Sequence, residues 1–133
     1  VIMAAAVCDF RPKRAARRKI KKQEFAGKLE LVPTVDILAE LGKRKRRQVL
    51  VGFAAETDHL ERNAFEKLRR KKLDLIVAND VSGDVMGGAD NEVLLVTRAG
   101  TERWPRMGKA EVAMKLAERI AATFDDSRTN AAE

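Results

Sequence analysis

Three continuous apolar runs stand out along the chain, at residues 1–7, 49–54 and 73–79. Runs of this kind are typical of central strands in a parallel sheet, because both faces of such strands are buried. A shorter stretch at 29–32 predicts one more brief strand. Because the chain opens inside its first apolar run, we expect it to be part of a longer protein whose domain starts upstream of Val1.

Two segments between these runs predict helices. The first precedes the second run, where Thr34 can cap a helix that Gly42 ends. The second lies between the second and third runs, and it predicts a helix from a cap at Thr57 or Asp58 to about Lys72. Its apolar residues share one face and its charged residues take the other.

The C-terminal third of the chain predicts a hairpin followed by a long helix. Residues 92–97 and 102–105 flank a short turn, and the segment 109–124 has an apolar stripe at helical spacing. Residues 125–133 are predicted to form a flexible tail. The positions of the long helix that we expect to face inward are Val112, Ala113, Leu116, Ala117, Ile120 and Phe124.

Strands that alternate with helices favour an α/β fold with a mostly parallel sheet. Ligands bind such sheets beyond the carboxyl ends of the strands. Here polar groups stand at or just after the carboxyl ends of the three runs, at Asp9, Glu56 and Asn79. Because these ends meet at one edge of the sheet, we expect a ligand site there.

Composition narrows the class of ligand. Lysine and arginine number 27 against 20 acidic residues, a net charge of +7, which favours nucleotides, phosphorylated metabolites, nucleic acid or an anionic membrane surface. The single cysteine, Cys8, excludes a disulfide framework, indicates a reducing compartment and is expected in the core. No run reaches the roughly 18 apolar residues of a membrane span. The only histidine, His59, has no cysteine or histidine cluster around it, which argues against a zinc site.

Two basic segments and one aromatic residue are candidates for binding an anion. Residues 11–28 predict a mobile basic loop, and its stretch at 19–22 either closes over a polyphosphate or is simply solvated. Lys67 and Lys71 share a helix face, where they either bind an anion or face solvent. Phe53 either stacks on a base or packs in the core. The glycine spacing around it matches neither a dinucleotide-binding fingerprint nor a phosphate-binding loop.

Six features occur in the order and spacing of one known family. They are "AAVCDF", "KIKK", "DIL", "VGFAAET", "KLRRKKLDLIVAND" and the later Asn91. On these features the chain resembles the phosphopantothenoylcysteine synthetase family, also called phosphopantothenate–cysteine ligase, from Ala5 to about Phe124. In many bacteria this domain is the C-terminal half of a bifunctional coenzyme A biosynthesis flavoprotein.

The resemblance implies a fold and a reaction. It implies a Rossmann-like three-layer sandwich over residues 1–124, with the N-terminal part of the domain missing. It also implies a cytoplasmic homodimer, or a larger oligomer in a bifunctional parent. Bacterial members use CTP and Mg²⁺ to form an acyl-cytidylate on 4′-phosphopantothenate, release pyrophosphate, and join the product to the amine of L-cysteine. FMN would belong only to a decarboxylase domain upstream.

The resemblance also implies roles for individual residues. Lys19 opens the lysine motif of a loop that covers the active site in the family, so its implied role is catalytic charge neutralisation. Ala5, Ala6 and Asn79 are implied in substrate or dimer contacts, and no metal ligand is implied. The implied nucleotide-binding residues are Asp9, Lys19, Val35, Asp36, Ile37, Leu38, Phe53, Lys67 and Lys71.

Three positions depart from the family pattern. The family usually has proline at Val35, an aromatic residue near Met86, and often serine at Gly108. Its glycine-rich segment and its catalytic asparagine would lie upstream of Val1, so this chain would hold the CTP side of the site. Two other functions stay open here: a basic nucleic-acid-binding module, which the low aromatic content disfavours, and an inactive remnant that serves dimerisation.

Overall fold

The computed structural model describes residues 1–25, 27–56, 58–80 and 90–129. The elements in these ranges are, in chain order, β1 (Ile2–Met3), β2 (Phe10–Pro12), a 3-10 helix (Lys22–Glu24), β3 (Leu31–Pro33), α1 (Ile37–Arg44), β4 (Val51–Glu56), α2 (Leu60–Arg70), β5 (Leu75–Asp80), β6 (Asp90–Val96), β7 (Thr101–Gly108) and α3 (Lys109–Thr129).

Within the described ranges, five strands form one sheet in the order β1-β4-β5-β6-β7. β1, β4 and β5 are parallel, whereas β6 and β7 extend the sheet as an antiparallel hairpin. This arrangement confirms the predicted α/β fold with its parallel core and its C-terminal hairpin. β2 and β3 pair with each other as a separate antiparallel ribbon, which we call the β2–β3 ribbon.

Alternate residues of the central strands point to opposite faces of the sheet, which creates two cores. On one face, Leu38 of α1 and Leu68 of α2 belong to the same buried cluster as Ile76 of β5. On the other face, Leu116 of α3 belongs to a cluster with Trp104 of β7. Helices therefore cover both faces, as a three-layer sandwich requires.

Two glycines allow α1 to approach its neighbours closely. A Cβ atom on Gly52 of β4 would lie 2.9 Å from side-chain carbons of both Leu38 and Leu73. A Cβ atom on Gly42 of α1 would lie 1.9 Å from the carbonyl oxygen of Lys71, just beyond α2. The position of α1 against the sheet and against α2 therefore depends on these two missing side chains.

The first apolar run forms a shorter strand than predicted. Only Ile2 and Met3 pair with β4, and both Val7 and Cys8 are exposed. β1 is an edge strand of the sheet that the described residues form, so a neighbouring strand covers only one of its sides. The prediction that Cys8 lies in the core is therefore wrong.

The first helix has different ends from those predicted. Asp36, rather than Thr34, caps α1, because its carboxylate accepts a hydrogen bond from the backbone N–H of Ala39. The helix then continues past Gly42 to Arg44. Glycine occurs here because of the close contact with Lys71 and not because the helix stops.

The other two helices also differ from their predicted bounds. His59, in a left-handed backbone conformation with φ of 50°, precedes α2, which ends at Arg70. α3 continues to Thr129, past the predicted end at residue 124. The alternative cap Thr57, the departure at Met86 and the last part of the predicted tail, residues 130–133, lie outside the described ranges.

α3 buries a narrower face than predicted. Val112 and Leu116 are buried and Ile120 packs partly against the same cluster, so a stripe with a four-residue repeat contacts the sheet. The neighbouring positions are turned away from this stripe by about 100° per residue. Two of the predicted inward residues are consequently exposed, Ala113 and Ala117. Phe124 continues the four-residue repeat but lies beyond the part of the stripe that packs on the sheet, and it is 47% exposed.

The close approach at Gly42 should reverse the usual effect of a glycine-to-alanine substitution on the stability of a helix. Alanine has the better helix propensity, so Gly42→Ala would stabilise an unobstructed helix. Here the new methyl group would overlap the Lys71 carbonyl oxygen, and we expect a loss of about 2 kcal/mol in the free energy of unfolding. Urea unfolding monitored by circular dichroism measures this change.

Gly108→Ala is the matched control. A Cβ atom at Gly108 would meet no atom within 4 Å, so we expect a change within about 0.5 kcal/mol. A Gly42→Ala protein as stable as the unaltered chain would show that α1 does not pack this closely.

Candidate functional site

A cavity of about 550 Å³ opens at the carboxyl ends of β1 and β4. We call it the main cavity. Its walls come from the segment after β1, the segment that enters α1, the end of β4 and one face of α2. Apart from Lys19 and Glu56, every residue that the sequence predicted for the site lines it: Ala5, Ala6, Asp9, Val35, Asp36, Ile37, Leu38, Phe53, Lys67, Lys71 and Asn79.

The segment after β1 is tied to the entrance of α1 by two hydrogen bonds. The backbone N–H of Thr34 donates to the Asp9 carbonyl oxygen at 2.8 Å, and the Thr34 hydroxyl donates to the Cys8 carbonyl oxygen. These bonds hold Asp9 beside the first turn of α1. Thr34 thus has a structural role other than the predicted cap.

The walls of the main cavity are partly apolar. Ile37, Leu38 and Phe53 contribute apolar surface, and the small side chains of Ala5 and Ala6 leave the backbone accessible. Phe53 also packs against the cluster under α3, which agrees with the core alternative, whereas stacking on a base stays a prediction. A flat or apolar group of a ligand can rest on this surface.

Asp36 joins α1 to α2 at the cavity floor. Its carboxylate accepts the Ala39 N–H at 3.0 Å and pairs with the Lys71 ammonium at 2.8 Å. Partial burial acts to raise the pKa of Asp36, but the hydrogen bonds from Lys71 and Ala39 and the positive charges of Lys71 and Arg70 outweigh it, so the pKa is lowered. The Lys71 side chain is only 13% exposed.

Lys67 is held at the end of β4. Its ammonium group donates to the carbonyl oxygen of Phe53 at 2.8 Å. Burial lowers the pKa of Lys67, and the positive charges of Lys71 and Arg70 lower it further, whereas Glu56 acts in the opposite direction. An anion bound next to Lys67 would replace part of its lost hydration and favour its charged form.

A second, polar cavity of about 330 Å³ adjoins the first. We call it the side cavity. It shares Asp9, Asp36, Lys67 and Lys71 with the main cavity, and further polar residues of β4 and α2 complete its lining: Glu56, Asn63, Glu66 and Arg70. The predicted ligand site included Glu56 but not Asn63, Glu66 or Arg70, although Arg70 lies three residues after Lys67 and therefore shares its helix face.

Asn63 fixes the end of β4 relative to α2. Its side-chain amide donates to Glu56 Oε2 at 3.1 Å and to the Asp58 carbonyl oxygen at 3.0 Å. The Glu56 carboxylate therefore faces the side cavity with a defined orientation. Spacing alone could not show this, because the bond links a strand to a helix across a turn.

Lys19 is exposed and lies outside the main cavity, in the loop between β2 and β3. Its implied catalytic role requires that loop to move, and it stays a prediction. No three His, Cys, Asp or Glu side chains of the described chain are grouped so that they could hold a metal ion alone. None of the helices within those same ranges has the length and apolarity that would cross a bilayer.

Comparison with known proteins identifies relatives of this chain. The coenzyme A biosynthesis bifunctional protein CoaBC of Bacillus subtilis is 50% identical over 92% of this chain, which covers 31% of that protein. A cysteine/cysteine sulfinic acid decarboxylase from an unknown prokaryotic organism is 41% identical over 90% of this chain and 34% of its own length. The chain thus spans about a third of these relatives.

A solved structure has the same fold. The crystal structure of the C-terminal domain of a CoaBC protein superposes with a TM-score of 0.74 at 37% identity, over 94% of this chain and 54% of that one. The family model described as the DNA/pantothenate metabolism flavoprotein C-terminal domain matches residues 1–124. The chain therefore belongs to the DNA/pantothenate metabolism flavoprotein C-terminal domain family.

Proposed function

We propose that this chain is the nucleotide-binding part of a ligase domain that joins 4′-phosphopantothenate to L-cysteine with CTP, in coenzyme A biosynthesis. The observation that carries the proposal is the main cavity, whose lining includes every implied nucleotide contact except Lys19. The relative named CoaBC, at 50% identity, supports the same assignment.

The proposed reaction has two steps. A carboxylate oxygen of 4′-phosphopantothenate attacks the α-phosphorus of CTP, and the bond to the β-phosphate oxygen breaks, so pyrophosphate leaves. The amine of L-cysteine then attacks the acyl carbon of the acyl-cytidylate, an amide forms, and CMP leaves. Both steps release anions, so cations placed beforehand around the phosphates would lower both barriers.

The residues of the main cavity fit parts of this reaction. The apolar surface of Ile37 and Phe53 suits the cytosine ring and the ribose, and the accessible backbone near Ala5 suits close contact with the substrate. Lys67 and Lys71 offer ammonium groups to the phosphates. Lys19 would reach the α-phosphate only after its loop closes.

Mg²⁺ fits this site as a partner of the nucleotide. Mg²⁺ usually keeps several waters and binds through substrate phosphates and one or two carboxylates. The Asp9 carboxylate lines both cavities and makes no hydrogen bond or ion pair to another described residue. Asp9 would therefore hold the ion, which would neutralise phosphate charge in the bound nucleotide.

The proposal includes a homodimer formed through the β2–β3 ribbon. Pairing of Phe10 with Pro33 and of Pro12 with Leu31 puts four apolar residues on one face of this ribbon. Phe10 and Leu31 are 59% and 51% exposed, and an isolated two-stranded ribbon has little stability of its own. A second copy covering this face would bury it; sedimentation as a monomer at every concentration would contradict this part.

The relative named as a decarboxylase favours a second candidate function, removal of CO₂ from a cysteine-like amino acid. That reaction needs no nucleoside triphosphate. Nucleotide binding therefore separates the two candidates. It also separates the ligase from a basic nucleic-acid-binding module.

We expect CTP with Mg²⁺ to raise the melting temperature of the chain by several degrees, because a ligand that binds only the folded state stabilises it by mass action. Differential scanning fluorimetry measures this shift. Cysteine sulfinic acid and a short DNA oligomer of matched charge serve as controls, and neither should raise it. A shift with the DNA oligomer and none with CTP would refute the ligase assignment.

The three lysines should act in different steps, Lys67 and Lys71 in nucleotide binding and Lys19 in the chemical step. Lys67 lies in α2 and Lys71 caps its end, so neither needs a loop to close. In the full-length enzyme, Lys67→Gln or Lys71→Gln should therefore raise the Michaelis constant for CTP with less change in turnover. Lys19 acts only after loop closure, so Lys19→Gln should slow acyl-cytidylate formation about a hundredfold. Single-turnover release of pyrophosphate measures that step.

Arg11→Gln, a neutralisation in β2 just before the loop that carries Lys19, controls for the loss of one charge, and it should release pyrophosphate at the normal rate. Normal release from the Lys19→Gln enzyme would show that the wrong lysine has been assigned. Equal losses in all three lysine variants would show that binding and chemistry are not divided in this way.

A further inference from the structure

Three cations at the C-terminal end of α2 border the side cavity, Lys67 and Arg70 in the helix and Lys71 just after it, and their surroundings differ. Lys67 donates to the Phe53 carbonyl oxygen, and Lys71 pairs with Asp36. Arg70 also lines the side cavity, but its guanidinium makes no hydrogen bond or ion pair with any other residue in the described ranges. Of these three cations, the Arg70 guanidinium is therefore the one that can bind a ligand without first breaking an existing bond.

We propose that the side cavity takes the polyphosphate chain of the nucleotide and that Arg70 binds this chain directly. This inference rests on the proposed function, since it assumes that a nucleoside triphosphate occupies the main cavity. The apolar surface of the main cavity suits the base and the ribose. The side cavity is polar and shares Lys67 and Lys71 with it, so a phosphate chain leaving the main cavity would pass between these lysines toward Arg70.

Arginine suits this position chemically. A guanidinium presents parallel N–H groups that match two phosphate oxygens, whereas an ammonium acts as a point charge. Arg70 is exposed, so its side chain can swing toward a phosphate without unpacking the core. It is also close enough to act electrostatically on both Asp36 and Lys67.

The side cavity also contains four carboxylates, which would repel a free phosphate chain. Two of them are already paired, Asp36 with Lys71 and Glu66 with Arg62. Glu56 accepts the Asn63 amide, which leaves Asp9 with no such partner in the described chain. A carboxylate beside a phosphate chain is the usual setting of Mg²⁺, so the mixed charge suits a magnesium–nucleotide complex better than a bare anion.

A simpler explanation for Arg70 is its position at the end of α2, where cations stabilise the helix through its dipole. Arg69 occupies the same last turn, has the same charge and is also exposed. Arg69 lines neither cavity. Arg69→Gln is therefore a matched control. It removes one positive charge from the same helix end, and with it one favourable interaction with the helix dipole, but it leaves the lining of the side cavity unchanged.

The test is equilibrium binding by titration calorimetry to the full chain, with CTP, inorganic triphosphate and cytidine as three separate probes in the presence of Mg²⁺. Arg70→Gln removes a charged hydrogen-bond donor to a phosphate oxygen, so this variant should bind CTP and inorganic triphosphate about tenfold more weakly. Cytidine should bind that variant as it binds the unaltered chain. Arg69→Gln should change CTP binding by less than about twofold, and Arg70→Lys should recover part of the affinity.

The outcomes separate this inference from the proposed function. If the unaltered chain binds no CTP, the proposed function fails and this inference fails with it. If the unaltered chain binds CTP and Arg70→Gln binds it equally well, only this inference fails. Equal losses in Arg69→Gln and Arg70→Gln, or a loss for cytidine as large as for CTP, would also overturn it. Matching melting temperatures of both variants without ligand would show that the fold is unchanged.

Discussion

The Asp36 carboxylate holds the floor of the main cavity together. It caps α1 through Ala39 and pairs with Lys71 beyond the end of α2. A helix cap contributes about 1 kcal/mol, and removing Asp36 would leave the mostly buried Lys71 ammonium without its carboxylate partner. Because Asp36 bonds both to the start of α1 and to Lys71 at the end of α2, these two walls of the main cavity keep their relative positions.

The pH dependence of that contact follows from the direction of its pKa shift. The pKa of Asp36 is lowered in the folded chain, so the pair stabilises the fold above the pKa of the unfolded carboxyl. The stabilisation is lost as the pH falls through the folded pKa. Lys67 behaves differently: its lowered pKa means that the folded chain disfavours its charge, and that this cost disappears as the pH rises above the pKa of the unfolded lysine.

The cations at the end of α2 thus lower the stability of the free chain but would favour binding of an anionic ligand. Lys67, Arg70 and Lys71 lie together at the C-terminal end of α2, and burial, followed by the like charges of Lys71 and Arg70, lowers the pKa of Lys67. Only Lys71 has a carboxylate partner within this set. A bound phosphate chain would compensate the other charges, so the same arrangement that costs stability in the free chain would contribute to affinity for an anion.

Pattern reasoning predicted the strands β4 and β5 because their apolar runs are buried on both faces. It also predicted a ligand site at the edge where the main cavity opens, because parallel strands end together there. It failed where contacts between distant parts of the chain determine the local structure. The run at the start of the chain gives a two-residue edge strand, and Gly42 is a packing position within a helix. Arg70 and Asn63 were missed because their surroundings depend on how α2 lies against the end of β4.

The position of bound nucleotide tests the central claim most directly. Mapping amide chemical-shift changes by NMR as CTP is added would locate it. The account predicts the largest changes around Asp9, Asp36 and Phe53, at the carboxyl edge of the parallel strands. A different cavity, of about 330 Å³, lies at the opposite edge near Val49 and Ile120; changes concentrated there, with none around Asp36, would contradict the account.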